Sequence, residues 1–200
     1  FVPSMKNYPS EKVVGHKYNV ALAQALMSQA GYPNGKDFPT LDFYVNAKEG
    51  SAVHVLCKAV AAQLKQNINV NLNIKLVTFD EREAAVNSGK AKIWRAGWIA
   101  DYPDPENFLA MFYSKNISAN GTGMMNQFKF QNDEFDATYE KALTESDPEK
   151  RINLLVKCDQ IIIDQAALMP MITDDHIVML NARVRGFRAN SMESLNLTEV

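Results

Sequence analysis

The chain has 200 residues, 46% of them hydrophobic and 22% charged, with a formal net charge of −2. That is the balance of a globular protein long enough to bury one sizeable core or two small ones. Nucleic acid is excluded as the expected partner, because neutralising phosphates takes clustered Lys and Arg and the sequence has no basic run.

Two cysteines, Cys57 and Cys158, lie far apart in apolar helical patterns. They form neither a disulfide framework nor a metal knuckle, and read as two buried thiols. No apolar run approaches the ~18 residues that cross a bilayer. No charged-then-apolar leader is present, but the opening "FVPSMKNYPSEK" reads as the middle of a longer chain whose targeting segment lies elsewhere.

The first predicted element is a helix from Tyr18 to Ala30, with Val20, Leu22, Leu26 and Met27 as its apolar residues, a left-handed stop at Gly31 and Pro33 beyond it. "PTLDFYVNA" reads as a short strand. A second helix starts near Ser51, where Val53, Leu56, Cys57, Val60 and Leu64 make one stripe. In "INVNLNIKL" Ile68, Val70, Leu72, Ile74 and Leu76 alternate with polar residues, the period of a strand with one buried face. "DEREAAVNSG" is a short helix with Asp80 as its cap, Glu83 completing a capping box and Gly89 ending it. "AKIWRAGW" is another strand. Helix–strand–helix–strand order predicts an α/β unit with crossover connections.

Asp104 and Pro105 start a further helix whose Phe108, Leu109 and Phe112 face inward. "SKNISANGTGMMNQFKF" is a long loop. Two helices follow, "NDEFDATYEKALTES" and "DPEKRINLLVKCDQIIIDQAALMP". A Pro-containing strand "LMPMIT" and a last strand "HIVMLNARVRGF" close the chain. Three Asn-x-Ser/Thr sequons, at Asn116, Asn120 and Asn196, have meaning only in a eukaryotic secretory protein.

The stretch "RAGWIADYPDPENFL" is too aromatic for an ordinary loop and too charged for a core strand. "GWIADYPDPENFL" resembles the signature of the large extracytoplasmic solute-binding proteins of peptide ABC importers, family 5. "ALMSQAGYPNGKDFPTLDFYVN" resembles the same family's helix, turn and strand. "ALMPMITDDHIVMLNARVRGF" resembles its closing strand and Val-x-Gly-Phe. The three motifs stand in matching order over nearly the whole chain.

The resemblance implies an α/β fold: one lobe of a two-lobed, periplasmic-binding-protein-like (type II) architecture, with a mixed sheet flanked by helices. Residues 1–166 would be the C-terminal ligand-binding lobe, and 167–200 closing strands and a tail crossing back towards an N-terminal lobe outside this chain. The implied role is to capture a short peptide between lobes that close by hinge bending and to deliver it to a membrane ABC permease. The setting would be the periplasm or the extracytoplasmic face, free or lipid-anchored. No cofactor is implied. If the resemblance holds, the host is bacterial and the sequons mean nothing.

A receptor for many peptide sequences reads the constant groups. A carboxylate suits the ammonium end, and a guanidinium fork or imidazole the carboxylate end. By resemblance Asp101 receives the amino terminus; its alternatives are a turn cap or a pair with Arg95. Arg95 is implied as a reader of the terminal carboxylate, against a plain salt bridge. On a straight strand of ~3.3 Å per residue it stands ~20 Å from Asp101, so one short peptide would need a bend near Gly97. His54 matches a position that meets the carboxylate of longer peptides, or simply faces solvent. Trp98 and Tyr102 wall the pocket or pack in the core; Trp94 reads as core.

Catalysis finds no motif. Cys57 sits three residues from His54 but on the buried stripe, where a thiol is inert, and "NGTGMM" is a lone glycine pair. Some relatives carry nickel complexes or haem, yet His16, His54 and His176 show no ligand spacing, and "DDH" at 174 to 176 reads as a strand-edge turn. A lobe acting mainly as an interaction module is the remaining alternative.

Overall fold

The computed structural model describes residues 1–5, 7–118, 123, 125–173 and 177–187. Asn120, the Asp174–His176 turn and Asn196 therefore lie outside the described residues. The chain divides into two compact units, one built on Lys17–Gly97 and the other on Phe1–His16 together with the segments that follow Gly97.

The Lys17–Gly97 unit is a small three-layer α/β sandwich. Its elements are α1 (Val20–Gln29), β1 (Leu41–Val45), α2 (Ala52–Ile68), β2 (Leu72–Leu76), α3 (Phe79–Asn87) and β3 (Ile93–Trp94). The three strands form a parallel sheet in the order β2-β1-β3. Alternation along β1 feeds both layers: Phe43 and Val45 pack with Cys57 on the α2 side, and Tyr44 packs with Ala85 and Val86 on the α3 side. Parallel neighbours need crossovers of this kind, and the two helices cover opposite faces.

Local chemistry sets the boundaries. Asn19 caps α1 through the Leu22 N–H, Ser51 caps α2 through the His54 N–H, and Gly31, at φ 91°, lets the chain leave α1. Gly35 is needed for room, since a Cβ there would stand 2.4 Å from the Ile68 carbonyl oxygen. On α1 the face turned inward is Val20, Ala23 and Met27, while Leu22 and Leu26 are exposed.

Three expectations are corrected in this unit. The alternating run does not start as a strand at Ile68, because α2 continues to that residue and ends on Asn69 at φ 56°; only Leu72–Leu76 pairs with β1. The capping box of α3 is Thr78 with Glu81, one overlapping pattern upstream of Asp80 and Glu83. The strand before the motif stops at Trp94, so the straight-strand distance from Arg95 to Asp101 has no basis.

The other unit is helical: α4 (Glu106–Leu109), α5 (Asp133–Thr144) and α6 (Pro148–Asp164). Asn132 caps α5, and Asp147, ahead of Pro148, caps α6 through two N–H groups. Phe108, Leu109, Phe112, Phe135, Leu155, Cys158 and Ile162 form its core. Phe112 stacks on Phe128 at 4.9 Å. The buried Asp159 carboxylate accepts from the Phe1 nitrogen (2.8 Å), the Val2 N–H (3.0 Å) and the Tyr8 hydroxyl (2.9 Å), tying these residues to α6.

Residues 167–173 and 177–187 contain no strand, against the two closing strands expected. Pro170 has no N–H for a ladder, and no described strand lies alongside to pair with them. Ala167 and Leu168 still pack against the core, but beyond them Ile177 is 83% and Met179 93% exposed. No described helix is long and apolar enough to cross a membrane.

Candidate functional site

In the sheet unit the first connection leaves β1 for β2 on one side, and the chain then crosses to β3 on the other. The strand order therefore reverses between β1 and β3. Such a switch point opens a crevice in open α/β sheets, and ligands bind there. Two expected residues stand at the carboxyl edge. Arg95 follows β3 directly, its N–H on the Tyr44 carbonyl at 2.9 Å; His54 lies in the first turn of α2, after β1.

Arg95 is half-buried. Its guanidinium lies over Gly97, where a Cβ would stand 3.6–3.8 Å away. That is ordinary contact, and Gly97 has no left-handed φ, so the glycine is not forced by geometry. No described acid of its own unit comes within salt-bridge distance. The guanidinium acts on Cys57: burial pushes that thiol up, and the Arg95 charge partly opposes the shift. His54 accepts the Gly50 N–H on Nδ1 at 3.0 Å. A neutral ring in that role carries its proton on Nε2, a donor suited to a carboxylate.

Arg82, unremarked in the sequence, organises this edge. It is 5% exposed and donates to the Asn46 Oδ1 after β1 and to the Arg95 carbonyl after β3, both at 3.1 Å. Its Nη2 pairs with Glu83 at 2.5 Å, and the Phe79 ring lies 4.8 Å from its guanidinium carbon. One signal was readable: on α3, position 82 shares the inward face with Ala85 and Val86.

In the helical unit the motif wraps the start of α4. Trp98 is half-buried against the core, and its indole N–H donates to Asn107 Oδ1 at 2.8 Å. The same oxygen accepts the Asp101 N–H at 3.1 Å, and the Asn107 amide donates to Asp101 Oδ2 at 3.3 Å. Asp101 is otherwise exposed and has no basic partner among the described residues of its unit. It caps no helix.

Tyr102 is 44% exposed and donates to Glu106, as does Tyr139. Burial, reinforced by Glu106, raises both phenols above their ordinary range, so they remain donors. Asp104 takes a two-pronged pair from Arg151, at 2.8 and 3.0 Å. Its hydrogen bonds to that carboxylate hold the guanidinium above its usual value. Among the described residues the cluster thus sets three carboxylates, Asp101, Asp104 and Glu106, against one guanidinium.

Trp98, Asp101 and Tyr102 are therefore gathered around α4, and Arg95 and His54 at the sheet edge. Trp94 packs beside Tyr44 and Ala85. Of the other histidines, the His16 ring bonds the Ile163 carbonyl at 3.1 Å. Among the described residues no group of three or more His, Cys, Asp or Glu stands together in a metal-binding arrangement.

Residues 1–120 match the family model described as the middle part of bacterial extracellular solute-binding proteins, family 5. An oligopeptide-binding protein of Bacillus subtilis is 29% identical over 174 residues, which is 84% of this chain and 30% of that protein. A heme-binding protein A of Haemophilus influenzae is 27% identical over 189 residues, 92% of this chain and 33% of that one. Among solved structures, a periplasmic binding protein of Helicobacter pylori in complex with the peptide STSA superposes with a TM-score of 0.63 at 31% identity, covering 76% of this chain and 28% of that chain. The chain spans about a third of the length of these relatives. The architecture is that of type II periplasmic binding proteins.

Proposed function

Given that the chain belongs to the bacterial extracellular solute-binding proteins of family 5, we propose that it is the C-terminal part of the cargo receptor of an ABC importer, and that its cargo is a short peptide. Residues 1–166 then form a ligand-binding lobe, and 167–200 a tail that returns towards an N-terminal lobe. The loaded receptor docks on a membrane permease at the extracytoplasmic face, as a free or a lipid-anchored protein. Its chemistry is recognition and release, with no bond made or broken.

One observation carries the peptide reading. The Asp101 carboxylate is exposed and, among the described residues, is held by a neutral amide in a cluster where carboxylates outnumber guanidinium groups. Such a group is ready for a cation and would be compensated by the cargo's ammonium. Trp98 and Tyr102 flank it as an apolar wall. Arg95 and His54, on the sheet unit, are donors suited to a carboxylate, and extended backbone pairing suits a peptide's amides.

Calorimetric titration of the full-length receptor with tri- to pentapeptides tests this. Saturable binding that weakens when the amino terminus is acetylated is expected. A second reading, haem as cargo, is favoured by the likeness to heme-binding protein A. Haemin binding with no response to any peptide would replace the first reading with the second.

A further inference from the structure

Asn107 is 4% exposed and sits on a four-residue helix next to Phe108 and Leu109, both in the core. An aliphatic side chain would fill such a position without the desolvation that an amide incurs. The amide is directed at the stretch from Trp98 to Tyr102. Its oxygen accepts the Trp98 indole N–H at 2.8 Å and the Asp101 N–H at 3.1 Å, and its nitrogen reaches Asp101 Oδ2 at 3.3 Å. A primary amide is a neutral side chain that can accept two N–H groups and still donate to a carboxylate.

The consequence is directional. With its sole donor committed, Trp98 can offer cargo only its ring. With Oδ2 tethered, Asp101 keeps Oδ1 for a ligand, and the carboxylate cannot turn freely. We propose that Asn107 is the positioning residue of the ammonium receptor: a buried group that touches no cargo but aims the Asp101 carboxylate and the Trp98 face at the amino end of a peptide. This rests on the reading of Asp101 as the group that meets the cargo's ammonium.

The experiment compares trialanine with N-acetyl-trialanine by calorimetry on the full-length receptor, wild type and variants. The wild type is expected to prefer the free amine at least ~30-fold. Asn107→Ala should reduce that ratio about tenfold, the worth of one charge-assisted hydrogen bond, by weakening the free peptide and leaving the acetylated one nearly unchanged.

Asn107→Leu is the second variant. It fills nearly the same volume and adds no charge, but makes neither the acceptor contacts nor the 3.3 Å donor contact. It is expected to fold and to lower the same ratio. A purely architectural Asn107 would weaken both peptides alike, so a ratio unchanged or raised in the folded variants overturns the proposal while Asp101 keeps its role. A wild type that does not distinguish the two peptides removes the ammonium receptor itself, and the proposal with it.

Discussion

Arg82 offers the sharpest test of how the sheet edge is held. Its guanidinium makes four donor contacts: two to Glu83, at 3.1 and 2.5 Å, and one each to Asn46 Oδ1 and the Arg95 carbonyl, both at 3.1 Å. The side chains of Arg82 and Glu83 are 7% and 15% exposed, so solvent does little to screen the pair. Truncation to Ala removes one partner of a buried ion pair, which costs about 3–5 kcal/mol, with the two neutral acceptors included in that figure. Lysine can keep the charge on Glu83 but not the fork; losing two neutral bonds at about 1 kcal/mol each puts Arg82→Lys near 2 kcal/mol. Urea unfolding at fixed pH reads both values. Removing both charges, in Arg82→Ala with Glu83→Ala, should recover part of the loss, because no buried carboxylate then lacks its counter-charge. A cost below about 1 kcal/mol for Arg82→Ala would refute the claim that this side chain joins the segments after β1 and β3.

Two further outcomes are expected. Asp101→Ala should weaken a free-amine peptide by about 30- to 5,000-fold, the equivalent of 2–5 kcal/mol. Its melting temperature should move by no more than about 2 °C, since the side chain is exposed; a large loss of stability with normal affinity would contradict the assignment. The second outcome concerns alkaline pH. Burial pushes the Cys158 thiol up to about 12, so the folded state holds that proton more tightly than the unfolded chain. The contribution is complete below the ordinary thiol range and is lost as pH rises towards about 12. Tyr8 and Tyr139, both raised chiefly by burial, act in the same direction above the ordinary phenol range. Urea unfolding at about pH 8, 9.5 and 11 should show falling stability, and a smaller fall in Cys158→Ala. An equal slope in the two proteins would mean that the thiol is not protected by burial.

Local signals carried much of the fold into the sequence. Ser51, Asn132 and Asp147 announce their helices because a cap is a contact across three residues, and Gly31 announces an ending for the same reason. The errors arose where two local solutions overlap. Thr78/Glu81 and Asp80/Glu83 both spell a capping pattern, and the helix took the one that brings Phe79 onto the Arg82 guanidinium. Ile68 and Val70 continue the alternation of β2, yet the left-handed Asn69 between them belongs to the end of α2. The two closing strands failed because a strand is a pairing and no single segment encodes its partner. In the candidate site, Asp101 and Trp98 stood out through their motif, which brings both to the start of α4. Asn107 and Arg82 were not, since helical periodicity says which face turns inward but not that a polar residue on it will find its partners.

The early end of β3 follows from the same contacts. A third strand as long as β1 would carry the ladder past Arg95 and fill the carboxyl edge with paired backbone. Instead the Arg95 N–H makes the last ladder-like bond, to Tyr44, and the Arg95 carbonyl is taken by Arg82. A buried guanidinium thus replaces a strand partner, and the backbone polar group stays satisfied without more sheet. It also leaves the Arg95 side chain at the switch point with no acid of its own unit to neutralise it. A long strand would be stiffer, but it would occupy the place where a sheet of order β2-β1-β3 can admit a ligand. On this argument Arg82 keeps the carboxyl edge free of further sheet as well as adding stability.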